Sequence, residues 1–267
     1  MKTPPNQIGN AKVILYSSID ERHEFTGACK QIVAGELMGA MSGLAICQYD
    51  GEDCFYLFGC DAEWNTVTDT WHQNLEDAKH QAEFEYKGIS QTWIKPLEIF
   101  DIVNERDEVI GQAPRKEVHA RGLWHRAVHV LVFNARGEVF LQKRSMLKDT
   151  AKGKWDSSSS GHLDTGEDYD ACAVREVREE IGLHLSQPPQ RLFKIDARKE
   201  TGWEFCWIYR CESEGPFVLH PEEIETGAWF TPDAVTKWVE EKPHDFASAF
   251  VLIWSKLISS SSSSSSS

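Results

Sequence analysis

Nowhere does this sequence hold an uninterrupted apolar stretch of the ~20 residues needed to span a bilayer, so no membrane-embedded helix is expected. The opening Met-Lys-Thr-Pro-Pro-Asn-Gln lacks the apolar core of a signal peptide, which predicts a cytoplasmic protein. There is no C-x-x-C pair among the seven cysteines (Cys29, Cys47, Cys54, Cys60, Cys172, Cys206, Cys211). Their odd number and mostly apolar surroundings read as reduced, small core residues. Positive charge is scarce too: 28 Lys plus Arg stand against 42 Asp plus Glu, a net charge of −14. That field opposes binding to nucleic acid polymers and to anionic membranes. A phosphate-bearing ligand therefore needs a local device, such as a metal ion.

Apolar material is plentiful. Hydrophobic residues make up 41% of the 267, with 13 Phe and 10 Trp, too much for a disordered chain and enough for one or two domains. Alternating apolar runs predict strands over residues 11–16, 44–49, 54–58 and 67–71, and a helix-like spread broken by glycines covers 25–41. Asn74 is a good N-cap for a helix that reaches Lys87 and stops at Gly88. Around Pro96 the pattern restarts, placing a boundary that leaves residues 1–95 as a small α+β accessory domain. From residue 96 to 258 the reading is mixed α and β. Strands are expected at 99–103, 109–112, 192–197 and 204–209, a hairpin at 128–133 and 138–143, and helices at 232–241 and 247–257. Nine serines, Ser259 to Ser267, have nothing apolar to bury and are expected to be disordered or irregular.

The segment from 161 to 183 carries the chemistry. Thr165 with Asp168 reads as a capping pattern, helical spacing runs to Ile181, and Gly182 supplies a stop. Glu176, Glu179 and Glu180, spaced i, i+3 and i+4, fall in one arc, with Ala171, Val174, Val177 and Ile181 opposite. Clustered carboxylates repel by a few tenths of a kcal/mol per exposed pair, and a hard divalent cation turns that cost into a site. Alone, E-x-x-E-E would read as a solvated acidic face.

The spacing goes further, because the segment resembles the Nudix box, G-x5-E-x7-R-E-U-x-E-E-x-G-U with U aliphatic. It agrees at Gly161, Glu167, Arg175, Glu176, Val177, Glu179, Glu180, Gly182 and Leu183. At about 1/15 per fixed residue and about 1/4 per aliphatic one, chance matches in such a chain number on the order of one in ten million. The resemblance implies an α/β/α sandwich around a mixed sheet over residues 96–258. It also implies Mg²⁺ or Mn²⁺ held by Glu176, Glu179, Glu180 and the Gly161 carbonyl, with Glu167 supporting the metal and Arg175 orienting a carboxylate. The reaction it implies is attack by metal-activated water on a small-molecule diphosphate, of nucleoside-diphosphate or another organic type. Many Nudix proteins place a loop glutamate where this chain has Glu223, which makes Glu223 the candidate general base. Glu176 and Glu179 are the alternatives for that role, and an exposed acidic loop is the plain reading of the segment around Glu223.

Features around the box resemble the branch shared by isopentenyl-diphosphate isomerase and its hydrolase-like relatives. These are Leu123-Trp124-His125-Arg126-Ala127-Val128 and Gly153-Lys154-Trp155-Asp156 ahead of Ser157 to Ser160, Gly161 and His162. His125, His162 and Glu204 stand where three of that isomerase's metal ligands align, so an isomerase is the competing function. The departures favour the hydrolase: Ser160 replaces the isomerase's cysteine, Gly202 replaces another glutamate, His119 lies one residue off the expected spacing, and this box is intact. His125, His162 and Glu204 remain candidate pocket residues, and Arg126, Lys143 and Arg144 are candidate phosphate contacts.

Residues 1–95 carry no chemical motif. Trp64, Trp71 and Trp93 with Asp61, Asp69 and His72 read as a recognition surface or, more plainly, as core. The roles open to this domain are cover for the site, homodimer formation or substrate restriction. A function of another class, a regulatory module that senses a diphosphate without turning it over, is weighed against the complete set of box glutamates.

Overall fold

Residues 2–264 are described by the structure, a computed structural model, and the chain parts between Leu97 and Glu98 into two units. In the first, Gln7–Ile8 (β1), Ala11–Ser18 (β2), Gly43–Gln48 (β3), Phe55–Cys60 (β4) and Thr66–His72 (β5) form an antiparallel sheet in chain order. Period-two alternation, shifted by an irregularity between Val13 and Leu15, sorts the side chains between its faces. Leu15, Leu44, Ile46 and Leu57 pack on Ala78 and Ala82 of helix α1 (Leu75–Glu85), while Val13, Ala45, Cys47 and Phe58 gather with Trp64 in a second cluster. Asn74 caps α1 by accepting from the Asp77 amide. The helix ends two residues short of the expected Lys87 because Tyr86–Lys87 pair with Glu24–Phe25.

The helix expected over 25–41 is not formed. Gly27 and Gly35 take positive φ of 62° and 87°, and Ala34 at 51° joins Gly35 in a tight turn between Ile32–Val33 and Glu36–Leu37. Left-handed turn geometry at two successive residues closes a hairpin and excludes a helix. The tryptophans do not form one surface: Trp64 is buried with its indole N–H on the Lys2 carbonyl, whereas Trp71 is exposed.

The second unit is the larger. It contains Ile99–Val103 (β6), Val109–Pro114 (β7), Arg115–Arg121 (α2), His125–Phe133 (β8), Val139–Arg144 (β9), Trp155–Asp156 (β10), Ser159–His162 (β11), Tyr169–Ile181 (α3), Gln190–Ile195 (β12), Glu204–Glu212 (β13), Ile224–Phe230 (β14), Pro232–Glu241 (α4) and Ser248–Ser264 (α5). The main sheet runs β10-β9-β8-β13-β12, with β11 on β8 and β14 on β9. β8 and β13 are parallel and the other pairs antiparallel, so the sheet is mixed as expected. Val128, Val130 and Val132 of β8 face α3, and Ala127, Leu131 and Phe133 join α4 and α5 on the opposite face. That is an α/β/α sandwich. The short helix α2 had no expectation attached to it. Pro232 opens α4 behind a Thr231 cap.

The serine run departs from its expected disorder, since α5 continues through Ser264. Burial of Phe250, Ile253 and Trp254 nucleates the helix, propagation costs little, and the Ser259 and Ser260 hydroxyls donate back to the Lys256 carbonyl at 2.9 and 2.8 Å. Ser265 to Ser267 lie outside the described residues. Among the described residues no helix is long and apolar enough to cross a membrane.

Candidate active site

Helix α3 places the glutamates. Asp168 alone caps it, its carboxylate accepting from the Asp170 and Ala171 amides, and the Thr165 hydroxyl donates instead to the Ile99 carbonyl. Gly182 ends the helix at φ 67°. The buried side differs from the expected one: it holds Cys172, Ala173, Glu176, Val177, Glu180 and Ile181, while Ala171 is exposed and Val174 half-buried. Glu176 and Glu180 therefore lie among the apolar residues, and Glu179 is left at the rim.

Glu180 is 3% exposed; its Oε2 accepts from the Ser160 amide at 2.9 Å and from Gln142 Nε2 at 3.1 Å. Glu176 is held by Arg175 Nη1 at 2.7 Å, and the same nitrogen reaches Glu179 Oε2 at 3.1 Å. The rest of that guanidinium forks onto both oxygens of Glu167, at 2.9 and 2.8 Å, and donates to the His162 carbonyl at 2.9 Å. Glu167 also accepts from the Asp164 amide. Its carboxylate is engaged with Arg175, so Glu167 acts on the cluster through that residue.

The backbone leaves room for this arrangement at one point. A Cβ on Gly161 would stand 2.0 Å from the Glu176 carboxylate, so only glycine lets the β11 backbone lie against it. Burial, and then the charge of Glu176, pushes the Glu180 carboxyl up to about 8, and burial likewise raises Glu176. Burial opposes the charge on Arg175, but Glu176 and Glu167 more than offset it, so the guanidinium stays cationic. Glu176, Glu179 and Glu180 offer carboxylate oxygens, the donor type that fits a hard divalent cation.

A pH dependence of opposite sign to ordinary acid denaturation follows. A glutamate with a folded pKa of about 8, far above its unfolded value, keeps its proton preferentially in the folded state. That contribution is complete below about pH 4 and is lost as pH rises toward 8, at a cost on the order of a few kcal/mol. In chelator, the melting temperature of Glu180→Gln minus that of wild type should grow from pH 5 to pH 8, and divalent ion should shrink it. A difference flat with pH would refute the assignment.

Glu223 approaches the cluster from the loop before β14. Its carbonyl accepts from the Ser145 amide at 2.9 Å, and the His220 amide of the same loop donates to the Glu180 carbonyl at 2.9 Å. The Glu223 carboxylate contacts the Lys148 ammonium. Lys148 escaped the sequence reading, because a lone lysine in a polar turn carries no pattern that separates it from surface.

A second cluster lies at the other end of β11. His119 of α2, His125 of β8, His162 of β11 and Glu204 of β13 bring one donor atom each within 4.8 Å of one another. Parallel pairing sets Glu204 opposite His125. The one-residue offset of His119 does not keep it out: α2 closes on Gly122 at φ 61° and returns its ring to 5.1 Å from His125. Phe100 stacks on His162 at 4.6 Å and on His125 at 5.6 Å. His162 Nε2 meets Glu204 Oε1 at 3.0 Å, and His125 Nδ1 meets the Leu123 carbonyl at 2.9 Å. Among the described residues, His119 Nε2 is buried without a hydrogen-bond partner, and His125 Nε2 lies 3.5 Å from Glu204 Oε1. Burial pulls His162 down to about 4, so the imidazole is neutral near pH 7 with a lone pair to offer. Burial acts against the charge of Glu204, but His162 and His125 outweigh it and hold the carboxyl well below its usual range.

A profile of the NUDIX domain matches residues 123–250. An uncharacterized Nudix hydrolase of Yersinia pestis is 33% identical over 167 residues, covering 61% of this chain and 90% of that protein. The chain belongs to the Nudix family. A second Nudix relative, the uncharacterized YfcD of Escherichia coli K12, is 31% identical over 169 residues, covering 63% of this chain and 92% of its own. Among solved structures, DR0079 from Deinococcus radiodurans is similar at 28% identity and a TM-score of 0.50, covering 54% of this chain and 90% of that one. The Nudix family makes this chain a pyrophosphohydrolase of the divalent-metal-dependent kind.

Within the Nudix unit each expected phosphate contact has an acidic partner. Arg126 is bound by Asp107 at 2.6 Å, and Asp107 also takes the Tyr169 hydroxyl and the Lys194 ammonium. Arg144 is buried against Asp156 at 3.1 Å, and Lys143 pairs with Glu225 at 2.9 Å.

Proposed function

We propose that this chain hydrolyses the diphosphate linkage of a small organic diphosphate, of the nucleoside-diphosphate type, with Mg²⁺ or Mn²⁺ held by Glu176, Glu179, Glu180 and the Gly161 carbonyl. The observation that carries this reading is the approach of two buried carboxylates, Glu176 and Glu180, to a backbone that tolerates no Cβ at Gly161. A divalent ion bound there would neutralise diphosphate charge and acidify water. Arg175 fixes the positions of Glu176 and Glu179, and Glu167 fixes Arg175. Glu223, tied by its backbone to the turn after β9, is the carboxylate assigned to take a proton from the attacking water. Seven free cysteines suit a reducing, cytoplasmic setting.

A second reading, an isopentenyl-diphosphate isomerase-like activity, is favoured by one observation: the His119, His125, His162 and Glu204 cluster, whose imidazole nitrogens suit a borderline metal such as Zn²⁺. One screen decides between them. Protein with Mg²⁺ or Mn²⁺ is incubated with nucleotide-linked diphosphates and with isopentenyl diphosphate, and phosphate products and double-bond migration are followed together. Cleavage of a nucleotide-linked diphosphate is the expected result. Isomerisation without cleavage would replace this reading with the second, and tight ligand binding with no product would make the chain a sensor.

A further inference from the structure

The turn over residues 145–151, between β9 and β10, is arranged with its apolar side chains outward. Met146 and Leu147 are 62% and 71% exposed, whereas the Lys148 side chain is 14% exposed. Lysine is rarely buried unless it is paired, and the ammonium is aimed at Glu223. Hydrogen bonds hold that geometry: the Ser145 hydroxyl accepts from the Leu147 amide at 3.2 Å, and the Lys148 amide donates to the Ser145 carbonyl at 3.3 Å. The Ser145 amide in turn donates to the Glu223 carbonyl. The turn is thus fastened to Glu223 by its backbone and by its lysine. The Lys148 charge also reaches the α3 glutamates, where it acts against the rise of both Glu176 and Glu180.

Helix α3 carries Glu176, Glu179 and Glu180, of which Arg175 hydrogen-bonds the first two, and Lys148 is the cation on Glu223. A compact ammonium on a flexible four-carbon stem can neutralise such a group and then withdraw, which a planar guanidinium locked in a fork cannot.

We propose that Lys148 is the internal counter-ion of the glutamate cluster, displaced when a divalent ion enters and then available to a diphosphate oxygen of the substrate. This rests on Glu176, Glu179 and Glu180 being the metal ligands. The consequence is a pair of effects with opposite signs: removing the ammonium takes away a competitor of the metal and, at the same time, a contact of the diphosphate. A lysine that only braced the turn would shift neither binding constant in this paired way.

The test uses calorimetry on the full chain stripped of metal. Mn²⁺ alone is titrated into wild type, Lys148→Met, Lys148→Gln and Glu180→Gln, and inorganic pyrophosphate is then titrated into the Mn²⁺-saturated wild type and Lys148 variants. Lys148→Met and Lys148→Gln should bind Mn²⁺ tighter than wild type by roughly threefold or more, and pyrophosphate weaker by a similar factor. Unchanged or weaker Mn²⁺ binding in either folded variant overturns the proposal. Loss of Mn²⁺ binding in Glu180→Gln is expected, and its retention there would instead sink the metal-ligand reading on which the proposal rests.

Discussion

Glu180→Gln should leave the fold intact while abolishing measurable divalent-ion binding and slowing turnover by roughly two to four orders of magnitude. The amide keeps the shape of the carboxylate and can still accept from the Ser160 amide, so the packing of α3 on β11 is preserved. What it removes is one anionic oxygen donor in a site that has no neutral substitute for it. Burial makes this position more telling than Glu179, which is at the rim and 39% exposed. Glu179→Gln should follow the same direction with a smaller loss. Metal titration and initial rates on the two single variants decide the matter: full activity in both would overturn the carboxylate site.

Arg175→Met carries the largest expected cost in stability, about 3 kcal/mol or more. The guanidinium is shared by Glu167, Glu176, Glu179 and the His162 carbonyl, and a thioether of similar length answers none of them. Two carboxylates would then stay partly buried with no cation, which is far costlier than never having had the pair. Urea unfolding followed by tryptophan fluorescence should show the midpoint falling. An unfolding free energy within about 1 kcal/mol of wild type would mean the network relaxes into water at little cost.

How much of this was legible beforehand depends on the range of the interaction. The Asn74 cap, the Gly182 stop, the Pro232 start and the hairpin of β8 and β9 are local, and each appeared where its residues placed it. The glutamate spacing identified the chemistry but not the burial. Three residues in one arc of a helix look solvated, and only the β11 backbone packing against Glu176 at Gly161 turns that arc inward. The failed helix over 25–41 shows the reverse case, in which apolar spacing was outweighed by two glycines and an alanine in left-handed geometry. His119 was judged by counting along the chain from His125, although the count matters less than the turn through Gly122 that lies between them. Lys148 required tertiary knowledge, since nothing in Met-Leu-Lys-Asp tells which of the four points inward.

Three successive residues of β11 connect the two clusters. The Ser160 amide meets Glu180, the Gly161 backbone lies against Glu176, and the His162 ring meets Glu204. Successive residues of a strand alternate faces, so a slip of one position would send each of these groups to the wrong side together. An insertion or deletion in this strand therefore cannot tune one cluster and spare the other. Variation that separates the carboxylate site from the imidazole site has to come through side chains on the helices and neighbouring strands, with the length of β11 held constant.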